Sequence, residues 1–139
     1  MITSSPHRIA MTAAALLGCF VLAGSAQAQE ECDPANCMIT VTVNDCQAPG
    51  GITAEPDIVV VRSARHMHWV IEPQGYEFAA NGIEFRQPHP QFERLDSPRP
   101  HEFHIQNHKT QAGDFYYYVN ITDSNGNACR RVDPTVRNN

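Results

Sequence analysis

Apolar and polar residues alternate with a period of two along most of this chain, the pattern of strands with one face buried. Ile39, Val41 and Val43 alternate with Thr40 and Thr42. Met67, Trp69 and Ile71 share one face of a second segment, which places His66 and His68 on the other. Phe103 and Ile105 point one way, and His104 and Gln106 the opposite way. Ile58-Val59-Val60-Val61 is instead a continuous β-branched run, as in a strand covered on both faces. The longest predicted strand runs from Phe115 to Thr122; Phe115, Tyr117 and Val119 face inward, and Tyr116, Tyr118 and Asn120 outward.

No segment sustains the 3.6-residue period of a helix. The chain has ten prolines and eight glycines, and most of them interrupt the strands at short intervals. Asn81-Gly82 reads as a turn before a strand holding Ile83 and Phe85. Asp123 to Asn127 reads as a turn from which Ala128 to Val132 returns as a hairpin. Gln87 to Pro100 reads as a proline-rich loop with a short strand near Phe92, and the residues after Asp133 as a polar tail. Together these predict one all-β domain, an antiparallel Greek-key-type β-sandwich over residues 29–139.

The first 28 residues are of another kind. His7 and Arg8 precede an apolar run from Met11 to Gly24, which ends in Ser25-Ala26-Gln27-Ala28. This is the pattern of a secretory signal peptide cleaved after Ala28. The run is shorter than the roughly 20 apolar residues of a membrane span, so stable membrane insertion of the mature chain is not expected. Leu16-Leu17-Gly18-Cys19 resembles a lipobox, but Phe20-Val21-Leu22-Ala23 carries the apolar run past Cys19. The expected location is periplasmic or secreted. Four cysteines follow the signal, and an even count in an exported chain implies two disulfides. Of the three connectivities, Cys46–Cys129 with Cys32–Cys37 is favoured, because it ties the start of the fold to its end.

The strand order, the Tyr-rich penultimate strand and the closing Cys129-x-x-x-Asp133-Pro134-Thr135 resemble small cupredoxin-like or immunoglobulin-like domains of exported bacterial proteins. The resemblance spans Ile39 to Asn139. A blue-copper member would carry further ligands on its last loop, yet neither His nor Met follows Cys129. The resemblance therefore implies a fold and not an electron-transfer copper centre.

Charge and motifs exclude more than they assign. Without the signal peptide the chain holds nine basic and fifteen acidic residues, with Lys109 the one lysine. Nothing forms a basic stripe, so nucleic acid is not an expected partner. There is no Gly-x-Ser-x-Gly nucleophile turn. The serines Ser63, Ser97 and Ser124 are isolated, and the carboxylates Glu72, Glu77, Glu84 and Glu93 are scattered. The chain is read as a non-enzymatic binding or structural module without a cofactor. Outward-facing Tyr116 and Tyr118 would suit a protein or glycan partner. Asn120-Ile121-Thr122 matches a glycosylation sequon by chance in a chain with a bacterial-type signal.

The histidines supply the alternative, a periplasmic copper- or zinc-binding protein. Residues two apart on one strand face, His66 and His68 lie about 6.6 Å apart along the strand. Such a pair chelates a transition metal only if a neighbouring strand supplies a third ligand, for which His104 and His108 are the candidates. The expectation is exposed histidines on half-exposed strands, without such convergence.

Overall fold

β-Branched and aromatic residues at alternate positions favour strands that pack one face against a common core. In the computed structural model, which describes residues 29–33 and 35–139, they do so in ten strands and two sheets. Residues 1–28, read above as a signal peptide and including Cys19, lie outside the described residues. The strands are β1 (Gln29–Glu31), β2 (Cys37–Val43), β3 (Ile52–Glu55), β4 (Ile58–Val61), β5 (Arg65–Glu72), β6 (Tyr76–Phe85), β7 (Phe92–Leu95), β8 (Glu102–Asn107), β9 (Gly113–Asp123) and β10 (Thr135–Asn138). One sheet has the order β1-β4-β10-β9-β6 and the other β3-β2-β5-β8-β7. The fold is an all-β sandwich. No helix among the described residues is long and apolar enough to cross a membrane.

Strand pairing is mixed rather than purely antiparallel. β4 runs parallel to both β1 and β10, and β2 runs parallel to β5. Connectivity permits this: between β2 and β5 the chain forms β3 and then leaves for the other sheet to form β4, the crossover that a parallel pair needs.

Ile39, Val41, Met67, Trp69, Phe103 and Ile105 from one sheet meet Val59, Val61, Ile83, Tyr117, Val119, Ile121 and Val136 from the other. Trp69 and Tyr117 are the two largest fully buried side chains, packed edge to face with ring centroids 5.5 Å apart. Trp69 Nε1 donates a 3.0 Å hydrogen bond to the Tyr117 hydroxyl. A buried indole N–H needs such an acceptor, because an unpaired donor costs about 1–3 kcal/mol. Burial pushes the Tyr117 pKa upward, so the phenol stays protonated.

Three buried amides seal one end of the sandwich. Asn107 Nδ2 donates to Asn138 Oδ1 at 2.9 Å, and Asn138 Nδ2 donates to Gln91 Oε1 and to the Gln111 carbonyl, each at 3.1 Å. Asn138 therefore belongs to the interior, and the segment after Asp133 is not a polar tail. Thr135–Asn138 forms β10, a strand between β4 and β9, with Val136 fully buried. Asn138 conceals this because its amide is satisfied inside the protein.

Asn81-Gly82 also departs from expectation. The pair is no turn and lies within β6, where the register with β9 shifts between Phe78 and Ile83. A Cβ at Gly82 would stand 2.7 Å from Phe78 Cβ and 2.8 Å from Phe103 Cδ2, so glycine is required by close packing. Asn120 Nδ2 supports the bulge by donating to the Asn81 carbonyl at 2.7 Å. Ala128 to Val132 returns beside β9 through isolated bridges at Thr122↔Ala128 and Val119↔Val132, short of a full hairpin strand.

Disulfides join Cys32 to Cys37 and Cys46 to Cys129. Both link one sheet to the other: the first spans the end of β1 and the start of β2, and the second joins the loop after β2 to the segment after β9. They suit an oxidising environment.

Two stability outcomes follow from the loop lengths and the core pair. The Cys46–Cys129 bond closes a loop with a separation of 83 residues, and Cys32–Cys37 one of 5. In the chain-entropy model these are worth about 4.5 and about 2 kcal/mol. Urea denaturation should therefore show the larger loss for Cys46→Ala with Cys129→Ala than for Cys32→Ala with Cys37→Ala. Tyr117→Phe should cost about 1–3 kcal/mol in the same assay, because it leaves the Trp69 N–H unpaired.

Candidate functional site

Burying Met67, Trp69 and Ile71 on β5 turns His66, His68 and Val70 to the outside of the second sheet. On β8, burying Phe103 and Ile105 turns Glu102, His104 and Gln106 the same way. The antiparallel register sets His68 directly opposite His104, with His66 diagonal to it. Three imidazoles thus form one cluster. Ring centroids are 5.0 Å apart for His66–His104, 5.5 Å for His68–His104 and 5.7 Å for His66–His68. The neighbouring strand does supply the third ring that a His-x-His pair needs.

Every ring has a defined polar contact. His66 Nε2 lies 3.2 Å from His104 Nδ1. His104 Nε2 faces Glu102 Oε2 at 3.7 Å, and both side chains are only about one-sixth exposed at 15% and 16%. His68 Nε2 is hydrogen-bonded to Asn36 Oδ1. Asn36 belongs to the short loop that the Cys32–Cys37 bond closes. A depression of 140 Å³ beside His66 and His68 is lined by Asn36, Cys37 and Arg65. Among the described residues no group of three or more His, Cys, Asp or Glu side chains stands ready to hold a metal ion. In this cluster the nitrogens are turned to one another and to Asn36.

Desolvation by the surrounding sheet holds the His66 pKa below the usual imidazole value of 6.5, and the nearby His104 ring pushes it the same way. His68 is lowered by desolvation first, then by His104 and His66, against a smaller opposing pull from Glu102. Both rings are therefore neutral at pH 7, the form in which imidazole nitrogen binds a metal.

The fourth candidate is elsewhere. His108 follows the end of β8 and pairs with Glu93, Nε2 to Oε2 at 2.8 Å. It makes no ring contact with the cluster. Its sequence spacing from His104 suits a ligand, but β8 ends at Asn107, so the alternation that aligns His104 does not extend to it. Sequence reasoning also omits Asn36, which is hydrogen-bonded to His68, and Glu102, whose carboxylate lies beside His104. Glu102 is two residues before His104 on a half-exposed strand, which is the one signal of its place; Asn36 has no local signal.

The tyrosine face belongs to the other sheet. Tyr116 is exposed, Tyr118 is half-buried, and Arg86 stacks between them, 5.4 Å from one ring centroid and 5.1 Å from the other. The adjoining cleft of 620 Å³ includes Arg86, Asp114, Tyr116, Asp133 and Arg137. Four of its charges are neutralised in pairs: Arg86 pairs with Asp133, and Arg137 Nε donates to Asp114 at 2.7 Å, while Glu55 and Asp57 also line it. Arg137 holds the Asp114 carboxyl below its usual range. The cleft therefore presents no unpaired guanidinium or carboxylate among these four residues.

No protein-family model matches the chain, and no curated protein matches it either.

Proposed function

We propose that this is an exported, non-enzymatic β-sandwich of the periplasm or secreted space whose ligand is a copper or zinc ion held by His66, His68 and His104. The signal-like first 28 residues and the two disulfides support export. The observation that carries the metal reading is the 3.2 Å separation of His66 Nε2 and His104 Nδ1. Two ligands of a tetrahedral ion with metal–nitrogen bonds of 2.0–2.1 Å stand about 3.3 Å apart. The spacing that now serves a hydrogen bond is thus the spacing of two ligands on one ion. Moving the shared proton to the donor ring's other nitrogen would expose both nitrogens, and the same shift in His68 would let it exchange its Asn36 contact for the ion. Glu102 Oε2 stands 3.7 Å from His104 Nε2, placed to take up the hydrogen bond that fixes a ligand ring and makes its metal-facing nitrogen more basic.

Calorimetric titration should show one equivalent of Zn(II) or Cu(II) bound to the disulfide-intact protein. His66→Ala with His104→Ala should abolish it. Glu102→Gln should weaken it by about 10- to 100-fold, the usual effect of removing a group that orients a ligand. His108→Ala should leave it unchanged. Wild-type protein that binds neither ion would defeat the reading.

The pH dependence has a definite sign. His66 and His68 hold protons less tightly in the folded protein than in the unfolded chain. Their contribution to stability is complete above 6.5 and is lost as pH falls from 6.5 through the lowered folded values. Protons compete with the ion over the same window. Denaturation of the metal-free protein should therefore show stability falling from pH 6.5 downward, with a shallower fall in a His66→Gln, His68→Gln variant.

A further inference from the structure

We propose that Met38 is the sulfur ligand of the histidine face and that the site is built for monovalent copper. This rests on the metal reading above and specifies which ion the site selects. The parallel register of β2 and β5 pairs Met38 with His68, and the antiparallel register of β5 and β8 pairs His68 with His104. Neighbouring strands are about 4.8 Å apart, so the three side chains form one row across the outer face of three adjacent strands. His66 stands in the next row on β5, with its Nε2 already against His104.

Met38 is 46% exposed, one of two large hydrophobic residues so exposed among the described residues. The rest of β2 alternates regularly: Cys37, Ile39, Val41 and Val43 are buried, and the other outward positions are Thr40 and Thr42. Core packing does not require methionine at this position, since the side chain faces away from the core. Single exposed apolar residues are ordinary on protein surfaces. What distinguishes Met38 is its neighbour, an imidazole at the next strand position and a second imidazole beyond it.

Ligand chemistry then decides the ion. Thioether sulfur is soft and uncharged, and it selects Cu(I); Zn(II) prefers imidazole, thiolate and carboxylate. Cys37 offers no competing thiolate because its sulfur is bonded to Cys32. Two or three imidazoles with one thioether form a neutral ligand set suited to a monovalent ion. Carboxylate enters only through Glu102, behind His104.

The test compares wild type with Met38→Leu, a volume-conserving change at an exposed position that should leave the fold intact. Disulfide-intact protein is titrated with Cu(I) under anaerobic ascorbate against bicinchoninate, and separately with Zn(II) by calorimetry. X-ray absorption of the Cu(I) form reads the ligand atoms. The expected result is Cu(I) binding weakened by about tenfold or more in Met38→Leu, with Zn(II) binding unchanged and a sulfur scatterer lost from the copper shell. Undiminished Cu(I) binding, or an equal loss for both ions, would overturn the role of Met38 while leaving the histidine site standing. Failure of wild type to bind any of these ions would overturn both.

Discussion

The hydrogen-bonded pair of Trp69 and Tyr117 fixes the phase of β5, and the outer face of that sheet depends on it. A strand alternates its side chains, so a shift of one residue would exchange the two faces. Trp69 cannot be exchanged outward without exposing a large indole and stranding the Tyr117 hydroxyl in the core. With Trp69 inside, Met67 and Ile71 are inside too, and His66 and His68 are committed to solvent. Phe103 plays the same part on β8 and commits Glu102 and His104. The histidine cluster is the outward image of a hydrophobic core.

Register turns that commitment into a site. The direct His68↔His104 pairing and the diagonal approach of His66 arise from the ladder between β5 and β8. The cluster's remaining contact comes from a different device. Asn36 sits in a loop drawn tight by the Cys32–Cys37 bond, and its side-chain Oδ1 faces His68. A disulfide that closes so short a loop contributes less chain entropy than Cys46–Cys129, but it localises a polar group outside the sheet that touches His68. Neutral rings, desolvated by the sheet and by one another, follow from this crowding.

Much of this is written locally. Alternation in Ile39–Val43, Met67–Ile71 and Phe103–Ile105 identifies β2, β5 and β8, and with them which histidines face outward. The pairing of β5 with β8 is a long-range fact that no local period encodes, so His104 and His108 are equivalent on spacing alone. The short strands hide for other reasons. Thr135–Asn138 has one strongly apolar residue, and its interior character depends on amide partners at Asn107, Gln91 and Gln111. Asn81-Gly82 carries the residues of a tight turn, but its glycine is there to admit the rings of Phe78 and Phe103.

The place of β10 has a consequence for how the chain can acquire its structure. The last strand to be made lies between β4 and β9 and provides the parallel edge on which β4 rests. The first five-stranded sheet therefore cannot close on an incomplete chain. A polypeptide delivered amino end first, through a ribosome or a narrow channel, keeps its early strands without their partner until residues 135–138 emerge. A chain that lacks residues 135–138 lacks the strand that joins β4 to β9.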